Sequence, residues 1–276
     1  MRVEAQLVGV VEYPVVGVGV GPEEAIYVLQ SSGRLASGFR ISCFGDEWNW
    51  DCVIEESLTG LHLVQPLPNG FLLAHCRQSG SLDNARVYDA DGKFVRGLNL
   101  GDGINDIQAT SSGAIWVSYF DEGVFGSGIG AAGLVRFDDQ GNPLYRFQPT
   151  AEIDWICDCY ALNVESDDTV WLCYYTEFPL VRLRNGVVDG VWQPGIRGAN
   201  AFAIRANRVV IHAGYGANDW RVLDLDVSGV VIAFESVEFL NEHKIPIPAK
   251  CAYSRGRLIW FVEGSKVYRV DTTQIR

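Results

Sequence analysis

Positive charge is in short supply in this chain. Lys and Arg number 22 against 34 Asp and Glu, a formal net charge of −12 at neutral pH, and no Lys/Arg cluster makes a local exception. Such a surface repels a polyanion, which argues against nucleic acid; solubility alone explains much of the acidity, and if the charge has a function the partner is cationic: a metal ion, an amine or a basic protein face. Long apolar runs are missing as well. The opening MRVEAQLVGVVEYPVVGVGVG is interrupted by Glu4, Glu12 and Pro14 and shows no small-residue cleavage site, so it reads as strands and not as a signal peptide. No stretch is long enough to span a bilayer. No membrane partner and a cytoplasmic location are expected. Histidine is sparse, with four residues, and no Ser, Asp and His grouping carries a recognisable nucleophile elbow, so nucleophilic catalysis has no support. The seven cysteines are an odd number. Cys157 and Cys159 share one side of a strand, but no second pair or His follows at zinc-ligand spacing, and Cys76, Cys159, Cys173 and Cys251 sit in apolar strands as small hydrophobes. Helical periodicity and linkers are absent too, which argues against a βαβ fold and against two domains.

What is present is a repeat. An apolar stretch, a tight turn, a very apolar strand, a loop and a strand ending before a Gly turn recur six times, most clearly over residues 104 to 148. Aligned on the second strand, the centres are Tyr27, Leu73, Trp116, Trp171, Val210 and Ile259. Their mean spacing of about 46 residues is that of a four-stranded propeller blade. The second strands AIWVSYF, TVWLCYY, RVVIHA and RLIWFV are almost continuously apolar, as strands covered on both faces are. The expected fold is all-β, a six-bladed β-propeller of four-stranded antiparallel blades in one domain, residues 1–276. The blades are placed at about 12–57, 58–101, 102–150, 151–195, 196–240 and 241–276, the last completed by 2–10. The last copy is one strand short, so residues 2 to 10 are expected beside residues 266 to 273, closing the ring and removing its open edges.

In a propeller, the loops joining second to third strands and fourth to next first strands share one face. Here those loops are the long ones, and the first three contain Gly: DEGVFGSGIGAA, QSGSLDN, GYGAND, TAEIDWI and LNEHKIPIPA. Scaffold-held loops of this kind usually carry recognition. That face gathers oxygens from Asp102, Asn105, Asp106, Asp154, Asp158, Asn200, Asp121, Glu122, Glu177 and Asp219. They can cap hairpins, coordinate a hard cation such as Ca²⁺ or share a proton. Asp106, Asp158 and Asn200 are the metal candidates. Aromatics accompany them, Tyr175 and Phe178 flanking Glu177 with Tyr160, Tyr174, Tyr215 and Trp220 beyond. Aromatic faces beside carboxylates suit a sugar, an amine or a peptide side chain, although the same residues can simply wedge blades apart. The candidate binding set is Asp106, Asp121, Glu122, Asp158, Tyr175, Glu177, Asn200 and Tyr215. Tyr175 and Phe178 are expected to escape full burial. His62, at the start of an innermost strand, is the one general-base candidate.

The third copy, INDIQATSSGAIWVSYFDEGVFGSGIGAAGLVRFDDQG, resembles regulator-propeller and NHL-like repeats, and the whole arrangement resembles bacterial six-bladed propellers of unassigned function. A more distant similarity is to gluconolactonase-type propellers, which implies a Glu, an Asn and an Asp around one divalent ion. GANAFAI offers Asn200 for the Asn and GINDIQ offers Asp106. The last blade departs from that pattern, with Ala249 and Lys250 where an Asp is usual, and no N-terminal Glu stands in the family's context. Two functions therefore stand. One is a non-catalytic module holding a protein or a small polar or cationic ligand on the long-loop face, possible forms including an inhibitor or immunity-type protein, with no cofactor. The other is a metal-dependent hydrolase, lactonase or lyase at the channel mouth.

Overall fold

The computed structural model describes residues 1–31, 38–45, 49–56, 60–78 and 83–275. Among the described residues its strands form six sheets, each built around four antiparallel strands, in sequence order except that the outer strand of the sixth comes from the N-terminal segment, with almost no helix. The fold is all-β, of the six-bladed β-propeller class. All six aligned centres lie in second strands, within Ile26–Ser31, Gly70–Ala74, Ile115–Tyr119, Thr169–Tyr175, Arg208–His212 and Leu258–Glu263, and all six are buried. The boundary between the first two blades and most of the QSGSLDN loop lie outside the described residues. No helix among the described residues is long and apolar enough to cross a membrane.

The chain divides into two compact units. One, Val11–Gln148 with Trp155–Asp158, holds blades one to three; the other, Met1–Val10, Pro149–Asp154 and Cys159–Arg276, holds blades four to six. In each unit the core lies between neighbouring sheets. Tyr27, Leu29 and Ile41 of blade one meet Phe71, Leu73 and Tyr88 of blade two, and Trp171 and Leu180 of blade four meet Phe202, Ile211 and Leu223 of blade five. Burying one such side chain is worth roughly 1.5–3 kcal/mol, which is why these strands are apolar on both faces. Close packing also dictates glycine: a Cβ at Gly19 would lie 1.8 Å from the Val64 carbonyl oxygen, so the two innermost strands touch backbone to backbone.

The N-terminal segment does two jobs where one was expected. Gln6–Val10 pairs antiparallel with Lys266–Asp271, Gln6 opposite Arg269 and Val10 opposite Lys266, and completes blade six. Arg2–Glu4 instead runs parallel to Val231–Leu240 of blade five, Arg2 opposite Glu238 and Glu4 opposite Leu240. Buried Ala5 marks the crossing, its amide donating to the Leu240 carbonyl at 2.8 Å. Ion pairs of Arg2 with Glu238 and of Glu4 with Lys244 flank this strap.

Inside the second unit a buried amide ties three blades together. Asn163, on the first strand of blade four, donates to the Phe202 carbonyl of blade five at 2.8 Å and the Gly256 carbonyl of blade six at 3.2 Å. It accepts from the Gly256 amide at 2.8 Å. The neighbouring Arg255 donates to the Val164 carbonyl at 3.0 Å. In the first unit Asn84 serves similarly, bonding the Gly101 carbonyl at 2.6 Å and the Leu100 amide at 2.9 Å. Buried amides stay only where donors and acceptors are met, and here both are.

Blade six also carries an acid-sensitive contact. Glu242 accepts hydrogen bonds from Lys266 and, at 2.7 Å, from the Tyr268 hydroxyl, with His243 3.5 Å away. These bonds, Lys266 first, bring its carboxyl down from 4.5 to about 2. A depressed folded-state value means the stabilisation is complete above pH 4.5 and is lost as pH falls toward about 2. Glu242→Gln is therefore expected to lower the melting temperature at neutral pH, with the gap to wild type closing through that window. Thermal melts across acid pH check this; a gap of constant size would refute it.

Candidate functional site

The best-formed exposed surface is an aromatic patch spanning blades four and five. Asp158–Val164, the first strand of blade four, supplies Tyr160, and the loop after Thr169–Tyr175 supplies Tyr175, Glu177 and Phe178. Tyr215 comes from the loop after Arg208–His212 in blade five. Phe178 was expected to remain partly open, but it is only 4% exposed. Its backbone adopts φ 54°, a conformation unfavourable for a bulky side chain, and its ring packs against those of Tyr160, Tyr175 and Tyr215 at 5.2, 5.6 and 6.0 Å. Edge-to-face packing of this kind stabilises the cluster beyond simple burial. Phe178 is thus the floor, and Tyr215, 63% exposed, and Tyr175, 47% exposed, are the surface.

Tyr215 is held firmly for so exposed a residue. Its hydroxyl bonds that of Tyr160, its amide donates to the Arg197 carbonyl at 3.0 Å, and its ring lies over Gly198, where a Cβ would approach within 2.4 Å. Buried His212 braces the loop from below, its Nε2–H donating to the Ala217 carbonyl at 3.0 Å, which fixes the tautomer. Glu177, at the rim, is exposed and has no hydrogen bond or ion pair among the described residues. Trp220 and Tyr174, also named from the sequence, are buried and pack between strands.

Several of the predicted carboxylates already serve local structure. Asp106 follows a register shift in its strand and accepts from the Ile107 amide at 2.8 Å and the Gln108 side chain at 3.1 Å. Asp121 accepts from the Glu122 amide at 2.8 Å in the short helix Asp121–Val124. Asp219 takes a bond from Ser236 at 2.7 Å and pairs with Arg221, and these, Ser236 first, hold its carboxyl below the usual range. Asn200 is exposed and donates to the Ala249 carbonyl at 3.4 Å, immediately before Lys250. Asp158, half-buried, opens its strand. Asp106 and Asp158 belong to one compact unit and Asn200 to the other. Among the described residues no three His, Cys, Asp or Glu side chains group as a metal site. His62 is exposed, its Nδ1 3.4 Å from the Val16 carbonyl oxygen.

Glu122 belongs to a second arrangement, on blade three. Arg77, which the sequence reading passed over, forks onto Asp102 at 3.0 and 3.1 Å and also pairs with Glu122. The Gln78 amide adds a 2.7 Å bond to Asp102. Partial burial pushes the Asp102 carboxyl up, but the Gln78 and Arg77 bonds outweigh it and hold the carboxyl below its ordinary range. A search for acids alone misses this guanidinium; a lone Arg directly after the apolar run FLLAHC was the available signal.

Comparison with known proteins bears on fold and family. Of solved structures, a functionally unknown protein from Desulfotomaculum acetoxidans DSM 771 is similar at a TM-score of 0.55 and 9% identity, over 91% of this chain and 80% of that one. A chain of a mitotic checkpoint complex structure is similar at a TM-score of 0.47 and 9% identity, over 96% of this chain and 90% of that one. At such identity the first likeness shows the fold alone. No curated protein matches the chain. The family model of the YxzG family matches residues 131–270, from the end of the Gly-rich loop of blade three through the last strand of blade six. That match takes in just over half of the sequence and the whole aromatic patch, and the chain belongs to the YxzG family.

Proposed function

We propose that this protein is a binding module whose aromatic patch on blades four and five receives a cationic side chain of a protein partner. The observation that carries the reading is Tyr215, an exposed ring fixed on several sides, beside Tyr175 and an unpaired Glu177. A rigid aromatic loses little conformational freedom on binding, and its face attracts Lys or Arg. The net charge of −12 steers a basic partner toward the molecule. Small amines share this chemistry.

The support for binding over divalent-ion hydrolysis is chemical. Asp106 already accepts two hydrogen bonds within its own strand, and Lys250 follows the residue that holds Asn200, where its charge opposes a cation.

Lys- and Arg-rich model peptides are expected to bind, more weakly as salt rises. Tyr215→Ala is expected to weaken them about three- to thirty-fold, the range a cation–π contact spans, with a fall in melting temperature of a few degrees from the lost ring contacts with Tyr160 and Phe178. Isothermal titration of wild type, Tyr215→Ala and Tyr215→Phe checks this, since Phe keeps the ring and loses the hydroxyl. Equal affinity in wild type and Tyr215→Ala would rule the patch out.

A further inference from the structure

We propose that the Gly-rich loop of blade three forms a second site, for a sugar unit. A cavity of about 600 Å³ lies against this loop and the segment leading into blade three, within the range of about 300–1,000 Å³ typical of small-ligand sites. Its lining combines Asp102, Glu122, Asn99 and Ser127 with apolar Ile129 and bare glycine backbone at 126, 128 and 130.

The charge pattern selects the ligand. Arg77 is shared between Asp102 and Glu122, so one net negative charge remains and the guanidinium disfavours a metal ion. Asp102 already accepts from Arg77 and from the Gln78 amide. The Glu122 carboxylate has Arg77 as its one partner among the described residues. Since a carboxylate offers about four acceptor positions, Glu122 has capacity left for hydroxyl donors. Asn99 and Ser127 can both donate and accept, as vicinal hydroxyls require, and Ile129 suits the C–H face of a pyranose. A neutral polyol with one apolar face satisfies this set, whereas a simple amine would leave the amide, the hydroxyl and the apolar wall unused.

Gly128 permits a clean test. Its φ of −95° is open to any L-residue, and a Cβ there would meet nothing within 4 Å. Gly128→Leu should therefore fold normally while filling space at a residue that lines the cavity. The experiment is an amide NMR titration with glucose, galactose, mannose, N-acetylglucosamine and L-fucose, with ethanolamine as the amine control, following Gly126, Ser127, Gly128 and Gly130. At least one sugar is expected to give saturable shifts at these amides. Glu122→Gln should weaken it about tenfold, as loss of a charge-assisted hydrogen bond does. Gly128→Leu should abolish it, and Tyr215→Ala should leave it unchanged, separating this site from the aromatic patch. The proposal is overturned if none of these sugars shifts the loop, if the shifts survive in Gly128→Leu, or if ethanolamine alone produces them.

Discussion

Removing residues 1–10 is expected to cost the protein its stable fold. The deletion strips three paired residues from blade five and four from blade six, together with the buried Ala5 and the contacts of Val3. At about 1 kcal/mol of net stabilisation per hydrogen bond, plus the apolar area uncovered, the loss is on the order of 5 kcal/mol or more, comparable with the whole margin of many domains. Two strand edges would also open, at Lys266–Asp271 and at the far end of Val231–Leu240, and such edges template aggregation. Soluble yield, size-exclusion behaviour and the thermal melt of the truncated protein are the measurements. Supplying residues 1–10 as a separate peptide should restore part of the melting temperature. A truncated protein that melts like wild type would show that the strap is dispensable.

The second large effect is expected at Asn163. Asn163→Ala deletes the side chain bonded to Phe202 and Gly256 and strands the Phe202 carbonyl and the Gly256 amide at a cost of about 1–3 kcal/mol each, while the Gly256 carbonyl keeps its 2.7 Å bond from the Ile204 amide. A total of about 3–5 kcal/mol follows, large for one substitution. Asn163→Asp is the informative companion: it keeps the oxygen that accepts from the Gly256 amide but loses both donated bonds and introduces a buried charge, so it should be at least as damaging. Urea unfolding of the two variants measures both. If Asn163→Ala falls within about 0.5 kcal/mol of wild type, as a neutral surface change does, the three-blade tie carries no weight.

Much of the fold was legible because its signal is redundant. Six copies each bury a second strand on both faces, so Tyr27, Leu73, Trp116, Trp171, Val210 and Ile259 could be aligned even though no two copies are closely alike. The completion of blade six could be read from simple counting, one strand missing at one end and one left over at the other. The switch of Arg2–Glu4 onto blade five could not, because RVEAQLVGV is continuous in pattern and only the small Ala5 marks the crossing.

The site was legible in composition but not in geometry. Tyr175 and Tyr215 each pack against Phe178, which Glu177 immediately precedes in the chain. Phe178 was misread because a positive φ turns its ring beneath its neighbours, and a sequence pattern carries no backbone sign. Asp106 looked like a ligand because it is acidic at a strand beginning; a register shift in its strand accompanies its use by Ile107 and Gln108. Arg77 escaped notice because its role depends on Asp102 and Glu122, which come from two other segments.

The N-terminal strap also sets an order of events during synthesis. Its partners lie more than two hundred residues downstream, Met1 bonding Ser236 across a separation of 235 and Gln6 pairing with Arg269. A strand made that early must therefore stay unpaired until residues 238–240 and 266–269 have been synthesised. Contacts of such long separation slow folding and prolong the exposure of unpaired edges. Charge on an unpaired strand disfavours association with the wrong edge, and Arg2 and Glu4, which pair with Glu238 and Lys244 in the folded protein, place such charge on the waiting segment.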